Sequence, residues 1–206
     1  MRWRLVVALL ATCLLLGACA DITPPPATAT RDAATRAYHD TIEMRGRLSV
    51  QYQRNDQEEA LHGSFTWSQT AQHTSIALLS PLGQTLAVID VTPDRATLTQ
   101  SDHTPRSAAD ADTLAADTLG WPLPVAGLRD WLQGFATDAQ GRRWSAPTGD
   151  TPITLVTQDG WQISYVSWQI DSTSPTPRPR RIDLTRTTQQ AGQVAIRIVL
   201  DDWQPS

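Results

Sequence analysis

From Gly46 onward the apolar residues of this chain recur at every second position, and that period limits what it can fold into. Val194, Ile196, Ile198 and Leu200 give the clearest case. Successive side chains on a strand point to opposite faces, so such alternation buries one face and leaves the other wet. Leu48, Val50 and Tyr52 alternate with Arg47, Ser49 and Gln51. Within 61–69, Phe65 and Trp67 share a face while Ser64, Thr66 and Ser68 take the other. The runs 73–80 and 84–91 are more continuously apolar, through Ile76, Leu78 and Leu79, then Leu86, Val88 and Ile89. A fifth strand is expected at 96–101, and strands resume at 153–157, 161–170, 181–187 and 194–203. Short polar turns between these runs predict antiparallel pairing.

Two stretches break the pattern. Residues 108–119 and 126–132 carry helical spacing and are separated by Gly120-Trp121-Pro122-Leu123-Pro124. Farther upstream, Ala33, Ala34, Ala37, Tyr38 and Ile42 predict a short helix over 31–43, ended by Met44-Arg45-Gly46. A sheet of about nine strands leaves apolar surface and edges unprotected unless it curls or closes. The expected architecture is therefore mainly β, a curled antiparallel sheet capped by a short helical insertion. Its apolar interior would suit a greasy ligand. Leu48, Val50, Phe65, Trp67, Ile76, Leu78, Leu86, Val88, Ile196 and Ile198 are the candidate wall, with Trp121 and Trp131 from the insertion. Tryptophans 67, 121, 131, 144, 161, 168 and 203 either line such a cavity or simply fill a β core.

The amino terminus has a separate logic. Arg2 and Arg4 precede an apolar run over 5–16, about a dozen residues where a membrane span needs roughly 20. The run ends in Leu16-Gly17-Ala18-Cys19, small residues before a cysteine. That is a lipobox, in which Cys19 receives a diacylglycerol and becomes the first mature residue. Asp21 to Thr30 contains three consecutive prolines and predicts a stiff spacer of about 3 Å per residue. The expected division is 1–18 signal peptide, 19–30 acylated tether and 31–206 β domain. Cys13 leaves with the signal, so packing without disulfides must hold the fold.

Charge and composition exclude several functions. The net charge of −4 becomes −6 once the signal is removed, with 15 arginines against 21 acidic residues. Such a surface argues against nucleic acid as a partner. Every basic residue is arginine, which removes Walker A, Schiff-base and Ser-Lys chemistry. His39, His62, His73 and His103 lack metal-ligand spacing, and no Gly-x-Ser-x-Gly elbow occurs. Asp110, Asp112 and Asp117 fall at the start and polar face of a predicted helix, where the dipole explains them. No metal, cofactor or catalytic residue is expected, and the chain reads as a non-enzyme.

Two further motifs stand out. Ser80, Pro81 and Gly83 occupy positions i, i+1 and i+3 of a type I turn, which places Leu82 at its tip. An exposed leucine forfeits about 1.5–3 kcal/mol available on burial, so it either folds back or meets lipid or a partner's acyl chain. Arg178, Arg180 and Arg181 form a dense basic cluster, expected either to touch an acidic partner or headgroups or to be a solvated strand lead-in. Residues 172–179 read as a low-complexity loop.

The lipobox at Cys19, Gly46-Arg47-Leu48-Ser49-Val50, Gly63-Ser64-Phe65-Thr66-Trp67, Ser80-Pro81-Leu82-Gly83, Gly120-Trp121-Pro122-Leu123-Pro124 and a last strand ending in Trp203 occur in that order. Together they resemble the LolB family of outer-membrane lipoprotein receptors across essentially the whole mature chain. The resemblance implies an unclosed antiparallel β-barrel of LolA/LolB type, with a helical lid over a hydrophobic cavity. It implies an outer-membrane, lipid-anchored, periplasm-facing protein, with a monomer as the default. Such a protein accepts triacylated lipoproteins from the periplasmic carrier LolA and inserts them into the membrane without ATP. It further implies that the loop Pro81-Leu82-Gly83 acts at the insertion step, with Leu82 as the protruding leucine. Ala20 after the acylated cysteine fits release to the outer membrane. The alternative is a structural or assembly lipoprotein whose apolar interior is merely a core.

Overall fold

The computed structural model describes residues 36–205, except 102, 172 and 173, and only the backbone at 171, 174 and 175. The signal, Cys19 and the tether lie outside the described residues.

Among the described residues, twelve strands and two helices follow in order. β1 (Ile42–Arg54) and β2 (Gln57–Gln69) form a long hairpin, closed by Asn55 and Asp56 at φ 51° and 59°. Two positive φ values in a two-residue turn match the right-handed twist of the flanking strands. β3 (Thr74–Leu79), β4 (Thr85–Thr92), β5 (Arg95–Gln100) and β6 (Arg106–Ala108) continue the meander. Helices α1 (Ala111–Leu119) and α2 (Val125–Trp131) follow, then a small hairpin of β7 (Phe135–Thr137) and β8 (Arg143–Ser145). β9 (Ile153–Val156), β10 (Gln162–Asp171), β11 (Ser174–Thr188) and β12 (Gly192–Pro205) complete the chain.

Ten strands make one antiparallel sheet in the order β6-β5-β4-β3-β2-β1-β12-β11-β10-β9. The two halves of the chain meet where β12 pairs with β1, from Ile42↔Pro205 to Gln51↔Ala195. β6 and β9 remain edges, so the barrel is unclosed. Bulges at Leu86, Val166, Arg180 and Asp201 interrupt the ladders, and each adds local twist and bend. Gly46 sits opposite Phe65, where a Cβ would meet the Val199 carbonyl and the phenyl ring. Only glycine permits that close approach.

Several expectations need correction. No helix occupies 36–43: residues 36–41 are irregular and β1 begins at Ile42, while 31–35 lie outside the described residues. The alternation of Ile42 and Met44 with Glu43 and Arg45 carries the strand back to Ile42. Residues 174–179 belong to β11 and are not a loop. Their prolines are tolerated because β11 pairs with β12 only from Arg181 to Thr188, so this half needs no donors on that side. In β4 the inward residues are Ala87 and Ile89, not Leu86 and Val88. Leu86 is the extra residue of the bulge opposite Leu79, and a continuous apolar run carries no parity that reveals this.

Candidate functional site

The inner face of the sheet and the helical insertion close over one apolar void. Leu48, Phe65, Trp67, Ile76, Leu78, Ile196 and Ile198 come from the sheet, and Leu123, Leu128 and Leu132 from the insertion. Leu128 and Leu132 stand four apart on α2 and its C-cap, hence on one face. The void measures about 20 Å³, room for roughly one water-sized group. In this closed arrangement the lid occupies the interior.

Sequence reasoning missed all three lid leucines. Val50, Trp121 and Trp131 are buried but lie away from the void. Trp121 leans on Tyr52 with centroids 6.5 Å apart, and Trp131 meets Trp161 edge-on at 6.4 Å. Tyr165 stacks on Trp168 at 5.5 Å and donates its hydroxyl to the Trp131 carbonyl at 3.0 Å. Burial pushes that phenol far above its ordinary range. Most tryptophans therefore fill core, and Trp67 alone among the seven borders the void.

Polar contacts fasten the lid. Arg129 donates to the Thr74 hydroxyl and to the Thr70 carbonyl at 2.8 Å. Gln133, fully buried, accepts from the His39 N–H at 2.9 Å and donates to the His39 carbonyl at 3.0 Å. Gln69, also buried, accepts from the Trp67 indole at 3.1 Å and donates to the Tyr38 hydroxyl at 3.1 Å. The start of α2 has no side-chain cap of its own; instead Asp112 of α1 accepts from the Ala126 N–H at 3.0 Å. Burial raises the Asp112 carboxyl while that bond opposes the rise. Asp110 caps α1, accepting from the N–H groups of Asp112 and Thr113 and from the Thr113 hydroxyl, which holds its carboxyl low.

The turn between β3 and β4 lies outside this interior. Ser80 accepts from the Gly83 N–H at 2.9 Å and donates its own N–H to Gln84 at 2.8 Å, while the Gln84 N–H reaches the Ser80 hydroxyl at 3.2 Å. Gly83 takes φ +81°, a conformation that suits glycine. The turn holds Leu82 out at 88% exposure, ahead of Ile170, Val156 and Leu86 among the exposed large apolar residues.

Arg178, Arg180 and Arg181 are engaged within the fold. Arg178 donates to the Trp203 carbonyl at 3.2 Å and Arg180 to the Leu200 carbonyl, bridging β11 to the half of β12 that it does not pair with. Arg180 also meets Asp201 at 3.0 Å, and Arg181 meets Asp183 at 2.6 Å. Guanidiniums supply the donors that Pro177 and Pro179 lack. Arg36 plays a similar part, stacked 4.5 Å over Trp168 and donating to the carbonyls of Gly134, Ala146 and Pro177. Among the described residues, no three His, Cys, Asp or Glu side chains converge on a metal-sized site.

A curled, unclosed antiparallel sheet with a helical lid on an apolar interior and a leucine-tipped turn defines the class of this molecule. Residues 40–203 match the family model described as outer membrane lipoprotein LolB, and the chain belongs to that family. It is 43% identical to the outer-membrane lipoprotein LolB of Cupriavidus pinatubonensis over 204 residues, 96% of this chain and 94% of that one. The LolB of Cupriavidus taiwanensis is 41% identical over 207 residues, covering 98% of both chains. A solved LolA-superfamily protein from Nitrosomonas europaea is 10% identical, with a TM-score of 0.44 over 83% of this chain and 88% of that one.

Proposed function

We propose that this protein is an outer-membrane lipoprotein receptor. It takes triacylated lipoproteins from the periplasmic carrier LolA into its lidded interior and passes them into the outer membrane. Cys19 carries the lipid anchor, the 19–30 tether holds the domain on the periplasmic side, and the protein works as a monomer. The observation that carries this reading is the apolar interior roofed by three leucines of a lid whose fastenings are polar.

The energetics favour it. Each neutral hydrogen bond of the latch contributes about 0.5–1.5 kcal/mol. An acyl chain of about a dozen methylenes gains roughly 10 kcal/mol on burial, at about 0.8 each. Because the carrier buries the chains too, that gain cancels in the hand-over, and the latch opens as the chains take the space that Leu123, Leu128 and Leu132 vacate. A gap of about 1.4 kcal/mol between carrier and receptor biases transfer tenfold. The bilayer takes the chains from there, with Leu82 entering it first, and no nucleotide hydrolysis is needed.

The smallness of the closed void favours one rival, a structural lipoprotein whose interior is only core. Mature protein freed by Cys19→Ala, mixed with carrier loaded with a triacylated lipoprotein, separates the two. Cargo should pass to this protein and then to liposomes, with insertion lost in Leu82→Glu. Failure of transfer to either form refutes the receptor reading.

A further inference from the structure

On the outer face of the sheet, directly beside the Leu82 turn, lies a groove of about 440 Å³. Arg47 and Ser49 of β1, His62 and Ser64 of β2 and Arg197 of β12 line it, and Pro81 closes one end. No aspartate or glutamate is among its lining residues, in a mature chain whose acids outnumber its arginines 21 to 15. The side chains of Ser49, Ser64 and His62 have no hydrogen-bond partner among the described residues, while their backbones pair in the β1–β2 ladder. Asp201 on its bulge holds Arg47 at 2.9 Å, and Asp183 approaches Arg197 at 3.5 Å. Both arginines stay well exposed, at 63% and 57%.

We propose that this groove binds the phosphate of a membrane-lipid headgroup. Arg197 offers the paired donors of its two amino groups and Arg47 its remaining amino group, since Asp201 takes the Nε and Nη2 of Arg47 at 2.9 Å each, and two hydroxyls and an imidazole add single donors around them. The source is a lipid because Pro81 forms the groove's end wall and Leu82 is the next residue. A leucine in the acyl layer sets its neighbours at the depth of the phosphates. The proposal rests on Leu82 meeting the bilayer and adds the headgroup chemistry of that encounter.

The test uses Cys19→Ala protein and vesicles of phosphatidylcholine with or without phosphatidylglycerol. Arg47→Gln and Arg197→Gln suit it because Asp201 keeps Arg180 and Asp183 keeps Arg181. Each variant should weaken binding to the anionic vesicles about fivefold, the worth of one arginine at such a surface. Dihexanoyl phosphatidylglycerol below its micelle concentration should shift the amide signals of Ser49, His62 and Ser64. Arginine variants that bind like wild type while Leu82→Glu loses binding overturn the groove and leave the turn's role standing. Loss in the arginine variants with Leu82→Glu unaffected removes the turn from the membrane step and overturns the lipid-source argument, leaving an anion groove only. Inorganic phosphate shifting the same amides as strongly as the short-chain lipid overturns the lipid assignment.

Discussion

Ile198 on the sheet and Leu132 on the lid face the same void, and both are almost fully buried, at 4% and 1% exposure. Their supports differ. Ile198 lies on β12, paired on one side with Leu48 and on the other with Ile182. Leu132 ends a seven-residue helix that depends on Arg129 and Gln133, with Asp112 at its start. A helix of this length is marginal without tertiary contacts. The sheet is thus a frame built from dozens of mutually supporting backbone bonds. The lid is an element of lower local stability, the kind from which moving parts are drawn. Equal burial does not mean equal permanence.

The contrast is broken most severely from the frame side. Trp67→Ala empties a wall position and leaves Gln69 without its indole donor; equilibrium urea unfolding should show a loss of about 3–5 kcal/mol. From the lid side, Gln133→Ala strands the His39 N–H and leaves its carbonyl only the 3.5 Å contact from Gln69, with an expected loss of about 1–3 kcal/mol. Hydrogen exchange sharpens this case: amides of α2 should lose protection well beyond those of β1 and β12. Uniform loss across sheet and lid would falsify the separation into frame and lid.

Asp112→Ala removes the cap that α1 lends to α2, at about 1 kcal/mol, again read as faster exchange in α2. Leu82→Glu touches neither frame nor lid, so the unfolding midpoint should move by less than about 0.5 kcal/mol while membrane insertion fails. The weakest effect is that of pH. Asp110 on the lid and Asp201 on the frame both titrate below the ordinary carboxylate value, through the Thr113 hydroxyl and the Arg47 guanidinium respectively. Their stabilisation is complete above the unfolded-state pKa of about 4 and is lost as pH falls below it. Asp112, raised by burial, acts with the opposite sign, so the comparison is made in the Asp112→Ala background, where urea midpoints that stay flat from neutral pH down through that range contradict both assignments.

Legibility followed the same division. Strands with one wet face announced themselves: β1, β2 and β12 alternate, and Ser80–Gly83 carries its own turn chemistry, while the hairpin turn at Asn55-Asp56 and the first residues of β2 emerged only in the structure. The inward faces of Leu48, Phe65, Trp67, Ile196 and Ile198 follow from that alternation, whereas Ile76 and Leu78 sit in a continuous apolar run and the exposure of Leu82 was left open by its turn residues. Local periodicity suffices for the alternating strands because each side chain's face is set by its immediate neighbours. Tertiary structure decided the rest. The parity of β4 depended on a bulge whose partner lies on β3, and the prolines of β11 became acceptable only where β12 diverges. The arginines at 178 and 180 found carbonyls about twenty residues away, and Gln133 found His39 across nearly the whole lid-to-terminus separation. Such contacts join segments distant in the chain, so nothing in either segment's own pattern specifies them. The sequence by itself determined which faces are apolar; the closure of the sheet's halves through β1 and β12 determined what those faces enclose.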